Sequence, residues 1–374
     1  MVATHTNLRT PAPTTYFAGW DHLEFWVGNA RQAAGFLSSA FGFTIAAYAG
    51  PETGVTDRCS WLLQQGDIRL VVSGALNGTS AIATHQRAHG DGVRDLAIRV
   101  TDVEGAYAAA LERGAVGLRA PWSESDDFGT VVRATIATYG DTQHTFVGRD
   151  GYKGVFLPGF DDDNLPPVPA GPPVGLGRID HVVGNVEKGQ LKSWVDFYGE
   201  VLGFDELVHF DDAQITTEYS ALMSTVVWDG SKVVLPINEP ADGKKKSQIQ
   251  EYLDFYGCPG VQHIAMRTED IVQAVSALRE RGVRFLRVPD SYYADAKERM
   301  AGIDLPWGDL ERLGILVDRD HDGHLLQVFT ETVTDRPTVF FEIIQREGAK
   351  GFGEGNFKAL FEAIEREQDR RGNL

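Results

Sequence analysis

The apolar positions of this chain fall mostly in short runs with strand-like alternation. They are SWLLQQGDIRLVVSG and HTFVGR in the first half, and YSALMSTVV, SKVVLPI, HLLQVFT and TVFFEIIQ in the second. Strands therefore outnumber helices. One segment breaks the pattern: Asn356 to Arg371 carries Phe357, Leu360, Phe361 and Ile364 at i, i+3, i+4, i+7, which predicts a helix with Asn356 as its N-cap and an apolar face packed on something.

The two halves resemble each other. GVRDLAIRVTDVEGAYAAALERGAVGLRAP at 92–121 aligns without a gap with GVQHIAMRTEDIVQAVSALRERGVRFLRVP at 260–289, each copy reading as strand, helix and second strand. Upstream, Trp20-Asp21-His22-Leu23 leads to Phe41-Gly42-Phe43, as Ile179-Asp180-His181-Val182 leads to Leu202-Gly203-Phe204. A duplicated unit is the simplest account. Between the copies, residues 158–177 hold six of the chain's 16 prolines, too many for a paired strand, so this stretch is a linker or surface crossing. The division is then 1–157, linker 158–177, and 178–374.

Composition narrows the class. A length of 374 residues exceeds what one core usually serves, and 43% hydrophobic content is ordinary for globular proteins. With 35 basic against 53 acidic residues and a formal charge of −18, general nucleic-acid binding is excluded, and the one dense basic run, Lys244-Lys245-Lys246, reads as a solvated helix start before Ser247-Gln248. Two cysteines, Cys59 and Cys258, fit a reducing compartment. With no membrane-length apolar stretch and no signal-peptide pattern, the sequence predicts a soluble cytoplasmic protein.

Candidate chemistry lies in the second half. His181 opens a strand, His263 lies within another and Glu342 within the last. Two imidazoles and one carboxylate are the ligand set of a facial triad for Fe(II), which leaves open positions for substrate and O₂. Histidines satisfied within the core are the alternative. Glu342 sits among Val339, Phe340, Phe341, Ile343 and Ile344, where a carboxylate is costly unless paired or coordinated, and Arg346 on the same strand face is the rival partner. The repeat supplies a comparison: where the second half has His181, His263 and Glu342, the first has His22, Asp95 and Thr145. One copy retains a possible triad and the other has become scaffold.

Three motifs carry less. Asp318-Arg319-Asp320-His321-Asp322-Gly323 imitates an EF-hand start but has Phe329 at the twelfth position, so it reads as a β-turn, and His324 falls on that turn too. Gly351-Phe352-Gly353-Glu354-Gly355-Asn356 lacks the third glycine of a dinucleotide loop and reads as a flexible helix entry.

DHVVGNVE, EYSALMS, LPINEP, KKKSQIQEYL, GVQHIA, PDSYY, LLQVFT, RPTVFFEIIQR and GFGEGNFKALFEAIEREQ together resemble the 4-hydroxyphenylpyruvate dioxygenase family, in the vicinal oxygen chelate superfamily; DHLEFWVGNA, HGDGVRDLAIRV and ATYGDTQHTF extend the resemblance to the first half. It implies an α+β fold of duplicated βαβββ modules in two open β-barrel-like domains with a C-terminal lid helix. It also implies one Fe(II) per subunit on His181, His263 and Glu342. The substrate pocket maps to Ser224, Asn238, Gln248, Gln262, Gln327, Phe329, Phe340, Phe352, Asn356 and Phe357. The implied reaction takes 4-hydroxyphenylpyruvate and O₂ to homogentisate and CO₂, in tyrosine and phenylalanine catabolism. It runs through oxidative decarboxylation, ring hydroxylation and side-chain migration, without 2-oxoglutarate.

Two other readings compete. Hydroxymandelate synthases use the same substrate and metal but typically carry aliphatic residues where this chain has Asn238 and Phe357. Non-catalytic modules of the same fold sequester small molecules, a role the retained triad speaks against. Leu235 and Glu354 depart from the commoner dioxygenase sequence, Glu354 close to the lid. A first half free of chemistry offers a surface for self-association into a dimer or tetramer.

Overall fold

A computed structural model describes residues 13–163, 165–210 and 221–373. The start of EYSALMS, Glu218 to Ser220, and the first twelve residues lie outside them. The alternating runs form strands. In the first half these are β1 (Phe17–Val27), β2 (Thr44–Ala49), β3 (Arg58–Gln65), β4 (Ile68–Ala75), β5 (Gly92–Val100), β6 (Gly117–Asp126), β7 (Gly129–Ala137) and β8 (Gln143–Gly148). In the second they are β9 (Leu176–Asn185), β10 (Asp205–Phe210), β11 (Ala221–Trp228), β12 (Val234–Ala241), β13 (Gly260–Thr268), β14 (Leu316–Arg319), β15 (His324–Phe329) and β16 (Phe340–Glu347).

Two eight-stranded mixed sheets result, ordered β2-β3-β4-β1-β5-β8-β7-β6 and β10-β11-β12-β9-β13-β16-β15-β14. The second order repeats the first strand for strand, so the duplication read in the sequence is a duplication of topology. Each sheet curls into an open half-barrel, the vicinal oxygen chelate fold.

The copies diverge at one edge. The second copy's last piece, residues 283–288, does not form the strand its alignment with β6 predicts; a single bridge from Phe285 to Thr330 is all it makes. Pro289 then starts the helix Asp290–Arg299, followed by Trp307–Leu313, and only afterwards does β14 take the edge position. Proline lacks the N–H that a ladder needs, and the inserted helices redirect the chain away from the sheet.

Local signals explain the first helix, Ala30–Phe41. Asn29 Oδ1 accepts from the Gln32 N–H at 3.0 Å, and the helix stops at Gly42, whose φ of +73° and 2.3 Å clearance between an added Cβ and the Pro172 carbonyl oxygen admit only glycine. Pro172 belongs to the proline-rich crossing, whose end is tied down by Gln65: its Oε1 accepts from the N–H groups of Val174, Gly175 and Leu176 at 2.9–3.1 Å. At the other turns, Lys244 to Lys246 are exposed ahead of the helix Gln248–Tyr256, capped by Ser247, and His321 and Asp322 lie in the β14–β15 hairpin.

One apolar core runs through both halves, from Leu23 to Ala363. At the seam Phe41 meets Phe341 edge-on at 5.1 Å, both fully buried. Phe41→Ala is expected to cost about 3–5 kcal/mol. A single denaturant transition should move to lower concentration with an unchanged slope; two separating transitions would show that the halves do not share their stability.

Candidate metal centre

Ala265 of β13 pairs with His181 of β9 on one side and with Glu342 of β16 on the other. Alternation along a strand puts His263, two residues before Ala265, on the same face. The curl of the sheet closes the remaining distance. His181 Nε2 lies 3.2 Å and His263 Nε2 3.4 Å from Glu342 Oε2, and the three ligand atoms fall within 4.8 Å of one another. All three residues are buried, Glu342 at 2% exposure.

The outer nitrogens decide what this cluster can hold. Asp180 Oδ1 stands 2.8 Å from His181 Nδ1, and Gln262 Oε1 stands 3.1 Å from His263 Nδ1. An acceptor at each Nδ1 selects the tautomer with the proton there, leaving both Nε2 lone pairs aimed at a carboxylate. Two lone pairs facing a carboxylate repel it unless a proton or a metal ion lies between them. Glu342 Oε1, moreover, is buried with no partner at all.

The ionisation pattern agrees. Burial pulls His181 down, but the Glu342 carboxylate and then Asp180 outweigh it and raise it to about 9. Burial dominates at His263 and lowers it. Glu342, despite the desolvation that would raise it, is held below its ordinary range by His181 and His263. Without metal, one proton would hold the cluster together; a divalent ion satisfies all three groups at once.

Arg346 is not the partner of Glu342. Its guanidinium makes two 2.8 Å hydrogen bonds to Asp180 instead, and so fixes the carboxylate that orients His181. Sequence inspection missed the role of Asp180, although the Asp-His dipeptide at 180–181 and its twin at 21–22 were visible in the repeat.

Above the cluster is a space of about 70 Å³ bounded by His181, His263 and Glu342 and by Ser224, Asn238, Gln248, Gln262, Phe329, Phe340, Phe352 and Phe357. Leu360, Phe361 and Ile364 complete its roof. The apolar stripe of the C-terminal helix, Phe357–Arg370, thus packs over the site. Val183, two residues beyond His181 on the same strand face, also lines it, and period-two reasoning would have found it.

Gln327 and Asn356 stand behind the wall. Gln327 lies under the turn at Gly353, where φ is +79° and an added Cβ would meet its Nε2 at 2.3 Å. Asn356 does not cap the terminal helix with its side chain: its backbone is already helical, following the turn Glu354–Asn356, and Asn356 Oδ1 accepts from the Tyr292 hydroxyl at 2.5 Å.

The first half keeps the Arg-Asp-His arrangement and lacks two of the three ligands. Arg149 donates to Asp21, Asp21 holds His22 Nδ1 at 2.6 Å, and Phe156 meets the His22 ring at 5.0 Å, as Phe352 meets His181 at 5.4 Å. β5 and β8 pair Asp95 with Gln143, the register in which His263 pairs with Phe340, so Thr145 stands where Glu342 does. There Asp95 accepts from Thr145 N–H at 3.0 Å, from its hydroxyl, and from Gln143 at 2.8 Å. Internal hydrogen bonds fill the place of an ion.

Comparison with known proteins agrees across the chain. Residues 13–156 match the family model "Hydroxyphenylpyruvate dioxygenase, HPPD, N-terminal", and residues 178–328 match "Glyoxalase/Bleomycin resistance protein/Dioxygenase superfamily". The chain is 49% identical to 4-hydroxyphenylpyruvate dioxygenase of Dictyostelium discoideum, covering 95% of this chain and 100% of that protein. It is also 49% identical to that of Danio rerio, covering 96% and 92%. Among solved structures, a mutant of 4-hydroxymandelate synthase from Streptomyces coelicolor superposes with a TM-score of 0.83 at 34% identity, covering 94% of this chain and 99% of that one.

Proposed function

The chain belongs to the 4-hydroxyphenylpyruvate dioxygenase family, and we propose on that premise that it holds one Fe(II) per subunit on His181, His263 and Glu342 and converts 4-hydroxyphenylpyruvate and O₂ to homogentisate and CO₂. The observation that carries this reading is the buried carboxylate of Glu342, which has one oxygen unpartnered and the other faced by two imidazole nitrogens. When bound, the iron would supply the redox chemistry, and because the substrate carries its own 2-oxo acid, 2-oxoglutarate is not needed.

The protein's own groups then have separate tasks. Asp180 and Gln262 fix the two imidazoles, so that His181, His263 and Glu342 would hold the ion beneath the aromatic wall. His263 is stacked on Phe340 at 4.7 Å, which holds the ring edge-on to the pocket. Ser224, Asn238, Gln248 and Gln262 supply the polar contacts that orient a phenol in an otherwise apolar space; Gln248 Oε1 is buried without a partner and suits a phenolic hydroxyl. Phe329, Phe352, Phe357 and Phe361 exclude water from the reacting centre.

The space beside the ligands, about 70 Å³, is smaller than the ~300 Å³ at which ligand pockets usually begin. Room for the substrate would come from a movement of the C-terminal helix, whose Phe357, Leu360, Phe361 and Ile364 line the space, so that the helix would act as a lid. Residues 1–157 serve as scaffold, their ligand positions closed by hydrogen bonds, and offer a surface for self-association.

The test is the product. Iron-loaded protein given 4-hydroxyphenylpyruvate and O₂ is expected to release homogentisate, identified by chromatography. 4-Hydroxymandelate as the main product would transfer the chain to the synthase reaction of its structural neighbour. Bound substrate without O₂ uptake would make it a binding protein.

A further inference from the structure

We infer that His85, His89 and Asp141 form a second cation site, for a borderline divalent ion such as Zn(II), at the seam between the two halves and sharing no residue with the iron-binding triad. The helix Ala81–His89 places His85 and His89 one turn apart on one face, and Asp141 comes from the turn between β7 and β8. His85 Nδ1 lies 2.8 Å and His89 Nε2 3.4 Å from the same oxygen, Asp141 Oδ2, and the three ligand atoms sit within 4.8 Å of one another.

Two further observations point to an ion. His89 Nδ1 lies 2.6 Å from the carbonyl oxygen of Tyr256, which fixes the ring proton there and turns the Nε2 lone pair toward the carboxylate. His85 is 3% exposed, so its Nδ1 meets Asp141 out of solvent. Beside the cluster runs a groove lined by His89, Asp141, Glu187, Gln190 and Cys258, which gives an entry path and room for a water as fourth ligand. Arg94 approaches the same oxygen, Asp141 Oδ2, at 3.8 Å, and the ion would replace it as the cationic partner there. A histidine pair at i, i+4 with one carboxylate is a donor set that borderline divalent ions favour. Bound there, the ion would tie the first half's helix to its own turn and, through His89, to Tyr256 of the second half.

Crystals of the full chain soaked in Zn(II) and measured at the zinc absorption edge should show two anomalous peaks per chain, one at the triad and one among His85, His89 and Asp141. In solution, metal-free protein should take up two equivalents, and His85→Ala and Asp141→Asn one each. Zinc should also raise the melting temperature of Glu342→Ala protein and leave that of the Glu342→Ala, His85→Ala double variant where it was. A single peak at the triad with zinc in excess, in wild-type crystals that need no variant to fold, would mean that protons alone hold this cluster and would overturn the site. Two equivalents still bound by His85→Ala and by Asp141→Asn would do the same.

Discussion

His263→Ala is expected to lose bound iron and turnover together. Among the described residues the site offers three protein ligands, and removing His263 leaves His181 and Glu342, already 3.2 Å apart, to close into an ion pair. Substitution of residues that merely orient ligands weakens metal sites by about 10–100-fold, so loss of a ligand should reach at least the upper end of that range. Iron content by elemental analysis and O₂ uptake with 4-hydroxyphenylpyruvate measure the two effects on the same sample. Full activity with iron retained would remove His263 from the ligand set. Loss of activity with iron retained would make it a substrate-positioning group, in line with its stack on Phe340.

Asp180→Ala should cost stability and metal affinity at once. The carboxylate accepts two hydrogen bonds from Arg346 and one from His181, all at 2.8 Å, with both Asp180 and Arg346 largely buried. Removing it strands a buried guanidinium, at about 3–5 kcal/mol, and frees the His181 ring, at about 10–100-fold in metal affinity. The duplicate in the first half is a built-in control. Asp21→Ala breaks the matching pairing with Arg149 and His22, and should destabilise comparably while iron affinity is unchanged. Iron affinity equal in wild type and Asp180→Ala would show that the pairing is structural only.

Acid unfolding gives an independent reading of the same group. His181 and Arg346 hold Asp180 well below the usual carboxylate range against the desolvation that would raise it. A depressed folded-state value stabilises above the unfolded value of about 4, and that stability is lost as pH falls below it. Asp180→Ala should therefore lose less stability between about pH 5 and pH 2 than wild type does.

Much of this was legible in the chain. The gapless match of 92–121 with 260–289 is a local signal, because strand and helix leave periods of two and 3.6 in the order of side chains. Glu342 declared itself by its apolar neighbours, and the terminal stripe from Phe357 to Ile364 by its spacing. The comparison of copies marked His263 and Glu342 against Asp95 and Thr145 before any coordinates were needed.

Other features required the third dimension. Position 346 shares a face with Glu342 by alternation, yet the guanidinium turns to Asp180, because which neighbour a long side chain reaches depends on the strand lying beside it. Asn356 has a capping residue's place and spends its side chain on Tyr292, sixty-four positions away. Residues 283–288 repeat a strand sequence and leave the sheet, since Pro289 and two inserted helices outweigh local propensity. His85, His89 and Asp141 meet only because β7 and β8 turn back onto the helix that carries the histidines. The sequence by itself determined the repeated elements and the chemistry of the ligands, because those are written in neighbouring residues. The convergence of β9, β13 and β16 on one point, and the company each ligand keeps there, were decided by strand order and sheet curl, which bring together residues that share no local pattern.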